Sequence, residues 1–329
     1  MRSTPIGNSG ISCSTLGFGC SALLGRSGRR ASLRALAAAW EAGITLYDTA
    51  RAYGYGESEA ILGEFLAGRR EKAVIATKFG ITPVRPPLWK RLAKPAARAL
   101  IALAPSMRAA VRKQAGRQFV EGQFSVPVLT ESIHLSLRKL RTDYVDLLFL
   151  HAAPASVLQQ DDLLDAMERL VDSGKVRAAG ISADTASIRA ALDRKPSPLR
   201  VLQFPCNLFD FFAPELIAAH PNSSGMGAIA NHPFGGVTRV RQSREILAGI
   251  AAAPEVEPGL REKLGSVDDG VLADVVLNMI LSRSSINAVV PAMMRLDHLA
   301  RNVAAITASR FTLDEINLLR NRISDLQSL

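Results

Sequence analysis

Cysteine is scarce. The 329 residues hold three, Cys13, Cys20 and Cys206, an odd number without metal-ligand spacing. That pattern excludes a disulfide-stapled scaffold and a zinc module. Aromatic residues are only 5% of the chain, and no run approaches the ~18 apolar residues of a membrane span. The opening Met1-Arg-Ser-Thr-Pro-Ile-Gly7 has no apolar core of the signal-peptide kind, so a cytoplasmic location is expected and a membrane partner is not. Acidic residues are missing from one segment altogether: residues 81–120 carry nine Lys or Arg and no Asp or Glu. The rest of the chain has 31 basic against 30 acidic residues, so the net charge of +10 belongs to that segment. A basic chain invites a nucleic-acid reading. Trp89 is the segment's only aromatic before Phe119, however, and the interleaved stacking residues of such binders are lacking. No nucleic-acid partner is expected.

What is there is ordinary globular material, 48% hydrophobic and 21% charged, enough for a large core. The length would suit two domains, but α/β barrels run as long in one. Short apolar runs recur at Thr15–Cys20, Ile44–Asp48, Ala73–Lys78, Val145–His151, Val176–Ser182, Val201–Gln203, Met226–Asn231 and Ile286–Val290. Such runs read as strands buried on both faces. Helical patterns lie between them: Ala31–Ala42, Glu57–Ala67, Leu129–Leu140, Asp161–Ser173, Asp184–Arg194, Pro214–His220 and Val271–Arg283. Two more, Leu296–Ala308 and Leu313–Leu326, end the chain, and several close on glycine as helix C-termini do. Pro5–Ile11 around Asn8-Ser9-Gly10 predicts a small N-terminal β-hairpin. Eight strand–helix units make an α/β chain, a (β/α)8 barrel spanning 1–329 as one domain. The alternative is a doubly wound sheet, which needs a glycine-rich phosphate turn after its first strand. Gly17-Phe18-Gly19-Cys20 lacks the third glycine, which favours the barrel.

The carboxyl ends of these runs carry polar side chains: Asp48, Lys78, His151, Ser182, Gln203 and Asn231. A barrel gathers such ends on one face, where its enzymes build their sites. Tyr53, in the loop after Asp48, can reach the same mouth. A phenol titrates near pH ~10; a neighbouring ammonium makes it a better proton donor, and a carboxylate keeps that ammonium charged. The His adds a donor to an oxygen that gains charge in the transition state. Alone, Asp48 reads as a cap or turn residue, Lys78 as a rim charge and His151 as a satisfied histidine. The conjunction carries the signal. With no convincing nucleophile or metal set, the other reactant is a cofactor, and hydride pairs naturally with Tyr-mediated protonation.

The segments Gly43-Ile-Thr-Leu-Tyr-Asp-Thr-Ala-Arg-Ala-Tyr-Gly54 with Gly56-Glu-Ser-Glu59, Ala76-Thr-Lys-Phe79, Leu137-Arg-Lys-Leu140 through His151, and Gly174-Lys-Val-Arg177 to Gly180-Ile-Ser182 resemble the aldo-keto reductase family along nearly the whole chain. The resemblance implies a (β/α)8 barrel binding NADP(H), less often NAD(H), and interconverting aldehydes, ketones or lactols with alcohols by direct hydride transfer. It implies Tyr53 as proton donor, Asp48 and Lys78 as its tuners, and His151 as orienter of the carbonyl. Ser182 and Gln203 match holders of the nicotinamide carboxamide, and Asn302 the adenine-end Asn. Three departures stand out. Ala183 replaces a second carboxamide ligand. Asn231 stands where an aromatic usually stacks on the nicotinamide, with His232 or Phe234 as substitutes. Ala292, Met293 and Met294 occupy the 2′-phosphate region, leaving Arg295 and Arg301 as its cationic partners, otherwise surface charge. A cofactor-binding regulatory protein with little turnover is the alternative those departures suggest.

Residues 81–120 lengthen the connection from Lys78 to His151 by roughly forty residues over the family's usual. The segment reads as a helical insertion on the catalytic face, broken by five prolines. It is either a solvated excursion or a positive lid that attracts an anionic substrate.

Overall fold

The structure, a computed structural model, describes residues 1–24, 28–83 and 119–327. The chain opens with an antiparallel pair, β1 (Ser3–Pro5) and β2 (Ser12–Ser14), the hairpin predicted around Asn8. Parallel strands β3 (Phe18–Gly19), β4 (Leu46–Asp48) and β5 (Val74–Phe79) follow. A short antiparallel pair, β6 (Thr82–Pro83) and β7 (Phe119–Val120), comes next. The parallel series then resumes with β8 (Val145–His151), β9 (Val176–Ser182), β10 (Leu199–Pro205), β11 (Gly227–Asn231) and β12 (Ala288–Val290). Each of the eight parallel strands pairs with its successor, without the order reversal of a doubly wound sheet. The ring closes where Gly17 N donates to Val289 O and Gly19 N to Pro291 O, both at 2.9 Å. The fold is a (β/α)8 barrel.

Helices cover the outside: α1 (Gly28–Glu41), α2 (Ser58–Phe65), α3 (Val126–Leu140), α4 (Asp161–Asp172), α5 (Thr185–Arg194) and α6 (Phe212–Ala219) come first. After them come α7 (Val237–Ala252), α8 (Pro258–Leu264), α9 (Asp269–Leu281), α10 (Leu296–Thr307) and α11 (Leu313–Gln327). The pattern missed α7 and α8. In α7 only Ser243, Leu247, Ile250 and Ala251 are buried, and three arginines break up its apolar stripe.

Two cores follow from the period of two along each strand. Tyr47, Ile75, Leu148 and Ile181 point outward into the layer under the helices. Leu46, Ala76, Phe149, Ala178, Val201 and Ile229 point inward, and the hairpin residues Ile6 and Ile11 plug one end. Counting two or four residues on from these inward positions reaches Asp48, Lys78, His151, Ser182, Gln203 and Asn231. The site is therefore the top layer of the barrel interior. Gly180 belongs to the same inward set, and its bare Cα makes room for the Phe149 ring; a Cβ there would lie 2.6 Å from Phe149 Cε1. At the opposite end Asp146 accepts from Ile75 N (2.9 Å), Arg70 (2.8 Å) and Arg177 (2.8 Å), tying the strand starts together.

Of the basic insertion read over 81–120, only the ends are described. Thr82 sits opposite Val120 and Pro83 opposite Phe119, so the chain leaves and re-enters at one point beyond the end of β5. The nine cations, Trp89 and the expected helical character lie outside the described residues. Among those described, no helix is long and apolar enough to cross a membrane, and Cys13, Cys20 and Cys206 are buried free thiols.

Candidate active site

Asp48 ends β4 and Lys78 is the penultimate residue of the adjacent β5. Neighbouring strands and shared parity force the two side chains together. Lys78, 1% exposed, donates from Nζ to Asp48 Oδ1 at 2.6 Å and to the Thr49 carbonyl at 3.1 Å. Its third contact is Tyr53 OH at 3.4 Å. Gln203 Nε2 donates to the same Asp48 oxygen at 3.0 Å, and Ser182 Oγ donates to Gln203 Oε1 at 2.7 Å. A continuous hydrogen-bonded line thus runs from Ser182 through Gln203, Asp48 and Lys78 to Tyr53.

The loop that delivers Tyr53 is fixed from behind. Gly54 adopts φ 58°, and a Cβ there would lie 2.7 Å from the Leu23 carbonyl oxygen, so the close approach requires glycine. Glu59, fully buried at the start of α2, accepts from Thr77 Oγ1 (2.8 Å) and Ser136 Oγ (2.6 Å). Its other oxygen lies 3.8 Å from Arg51 Nη1 in the same loop. Glu59, part of the Gly56-Glu-Ser-Glu59 motif, therefore has a structural task that its spacing alone did not show.

His151 ends β8 with its ring edge-on to Tyr53, centroids 5.8 Å apart and planes at 86°. Burial, aided by the Lys78 charge and by His232, pushes its imidazole down to about 3. The ring is neutral. Its Nδ1 is enclosed without a hydrogen-bond partner among the described residues, which leaves Nε2 to meet a ligand. For Lys78, burial works against the charged form, but Asp48 and Tyr53 outweigh it and hold the ammonium charged. Tyr53 departs from expectation. The ammonium does pull its phenol down, yet burial, with the Asp48 charge, pushes it up by more, and the net direction is above the usual 10. Lys78 is already neutralised by Asp48, so its influence on the phenol is blunted.

These groups open on a pocket of about 270 Å³, lined by Tyr53, His151, Ser182, Ala183, Asn231 and His232 together with Asp184 and Ser187 of the α5 cap. His232 sits in left-handed backbone (φ 51°), and one of its ring nitrogens lies 2.8 Å from Asn231 Oδ1. It lines the pocket, whereas Phe234 packs against the outer core. Of the two residues that could stand in for the missing aromatic, His232 is the one at the site. The structure thus brings Asp48, Tyr53, Lys78, His151, Ser182, Gln203 and Asn231 to one mouth. Arg295, at the start of α10, and Arg301 and Asn302, midway along it, lie apart from this pocket's lining. Asn302 is buried, and both arginines are engaged by carboxylates, Arg295 by Asp297 and Arg301 by Asp269. Arg244 of α7, which no motif marked, also reaches Asp269.

The family model "Aldo/keto reductase family" matches residues 15–323, and the chain belongs to that family. The aldo-keto reductase YhdN of Bacillus subtilis is 31% identical over 218 residues, 64% of this chain and 55% of its own length. The NADH-specific methylglyoxal reductase of Escherichia coli is 27% identical over 189 residues, 55% of this chain and 51% of its own. The chain thus spans about half the length of these curated relatives. The aldo-keto reductase AKR11C1 of Bacillus halodurans superposes with a TM-score of 0.70 at 23% identity, covering 99% of this chain and 96% of that one. That likeness is one of fold.

Proposed function

We propose that the chain is an NAD(P)-dependent oxidoreductase that interconverts a small carbonyl compound (aldehyde, ketone or lactol) and the corresponding alcohol, with Tyr53 as the proton donor. One observation carries the reading: a protonated phenol lies 3.4 Å from a buried ammonium and edge-on to a neutral imidazole, at the mouth of one pocket.

In the reducing direction the substrate oxygen rests between Tyr53 OH and His151 Nε2–H. The imidazole donates to that oxygen as it gains negative charge. Tyr53 passes its proton to the same oxygen, and the Lys78 ammonium stabilises the phenolate left behind. Asp48 and Gln203 keep the ammonium in place while this happens. The nicotinamide, when bound, supplies the hydride that the carbonyl carbon receives.

The residues present fit that cofactor. Gln203, fully buried, is held at both ends of its amide by Ser182 and Asp48 and fixes the Ser182 hydroxyl, which lines the pocket and keeps lone pairs to meet a carboxamide. Asn231 and His232, which line the same pocket, would hold the nicotinamide ring. At the other end Asn302, Arg295 and Arg301 would take the adenosine, the two arginines facing a 2′-phosphate. NADP(H) is the preferred form on this reading, and likeness to an NADH-specific relative supports use of NAD(H) as well. The nine cations of 85–117 favour an anionic substrate by long-range attraction.

The experiment is oxidation of NADPH or NADH in the presence of a panel of aldehydes, including nitrobenzaldehyde, sugars and a carboxylated aldehyde at two salt concentrations. Consumption of cofactor with several of them supports an enzyme. Tight cofactor binding with no consumption would instead favour the regulatory reading that Ala183 and Asn231 motivate.

A further inference from the structure

On the face where the strands end, α7, α9 and α10 bring together a chain of alternating charges that the proton chemistry does not use. Arg295, immediately before α10, donates from Nε and Nη2 to the two oxygens of Asp297 at 3.0 and 2.8 Å. Arg301, on the same helix, donates from Nη1 to Asp269 Oδ2 at 2.7 Å and lies 3.6 Å from Asp297 Oδ2. Arg244 donates to Asp269 Oδ1 from α7. Three guanidinium groups therefore share two carboxylates. The two-pronged edge of Arg295, the geometry that suits a phosphate, is already filled by Asp297.

We propose that Asp297 is a specificity-determining residue: its carboxylate competes with the cofactor 2′-phosphate for Arg295 and so keeps the preference for NADP(H) over NAD(H) small. This rests on the placement of the adenosine end at Arg295, Arg301 and Asn302 given above. A phosphate monoester carries about −1.5 to −2 charges at neutral pH. To reach Arg295 it must displace Asp297, which is tethered two residues away and held ionised by the same arginine. Displacement itself is cheap, because both partners are substantially exposed and exposed pairs are weak. The like charge left alongside is what opposes the phosphate. A ribose hydroxyl meets no such opposition and can donate to the carboxylate, the arrangement by which an acidic residue accepts the unphosphorylated cofactor. Asp269 adds to the effect by holding Arg301 and Arg244 together.

The test is a pair of dissociation constants, NADPH and NADH, measured by fluorescence titration without substrate for the wild type, Asp297→Asn and Asp297→Ala, each with its thermal melt. Both variants should bind NADPH about tenfold more tightly while NADH affinity changes by less than about threefold, and the salt dependence of NADPH binding should steepen. Equal shifts for the two cofactors, or unchanged NADPH affinity in variants that melt like the wild type, would overturn the role of Asp297 while leaving the oxidoreductase reading intact. A wild type that binds neither cofactor would overturn both.

Discussion

Replacing Lys78 by Met tests whether the buried charges act as one unit. Methionine keeps the unbranched apolar stem and deletes the ammonium. Asp48, 4% exposed, would then retain the Gln203 amide at 3.0 Å and lose its 2.6 Å ion pair. Breaking a buried pair by removing one partner costs about 3–5 kcal/mol, because a charge is left buried without compensation. With Gln203 still in place we expect the lower end, about 3 kcal/mol. Asp48→Asn in the same background removes the orphaned charge and should recover most of the loss. The double variant should be about 2 kcal/mol more stable than the sum of the single effects predicts. Urea unfolding followed by tryptophan fluorescence measures all four proteins. Turnover should not recover alongside stability, since the double variant has no cation beside Tyr53. Additive stability losses would refute the reasoning, for they would mean that Asp48 is comfortably solvated without its partner.

His151 sets an acid limb. Its imidazole is pushed down to about 3 in the folded protein, whereas an unfolded chain takes up that proton near 6.5. The unfolded state therefore binds more protons below about 6.5, and stability is lost as pH falls from there towards about 3. His151→Asn should flatten the drop in urea midpoint between pH 7 and pH 4. Because burial holds the Tyr53 phenol above its usual 10, kcat/KM for reduction should stay level through neutral pH and fall only above about 10; a decline centred near pH 7 would count against Tyr53 as the acid. Gly180→Ala places a methyl 2.2 Å from the Val201 carbonyl oxygen and against the Phe149 ring, and should cost about 1–3 kcal/mol in urea unfolding.

The barrel was legible because its strands are apolar on both faces and their lengths and spacing repeat. Asp48, Lys78 and His151 of the proposed catalytic set were legible because each ends a separate apolar run and strand parity turns it inward, and Tyr53 because its loop follows the run that ends at Asp48. Other features depended on contacts that sequence does not carry. The net upward direction for Tyr53 arises because burial of the phenol, helped by the Asp48 charge, outweighs the pull of the Lys78 ammonium, and neither burial nor that balance can be read from spacing. The engagement of Arg301 required Asp269, on another helix, to meet it across the gap between them, whereas the carboxylate on Arg295 is its near neighbour Asp297. α7 went unread because its buried face is made of small and scattered residues, and α8 because it is short. Phe234, read from the sequence as a substitute for the stacking aromatic, packs against the outer core instead.

The most direct measurement is of Tyr53→Phe, which removes one hydroxyl from the end of the hydrogen-bonded line and leaves the ring against His151. General acid catalysis contributes roughly 10²–10⁴ in rate. We expect kcat with a responsive aldehyde to fall by about 10³-fold, while the dissociation constants of NADPH and NADH, measured by fluorescence titration, stay within about twofold of the wild type. Turnover at the wild-type rate, with the same cofactor affinities, would contradict the assignment of Tyr53 as the proton donor.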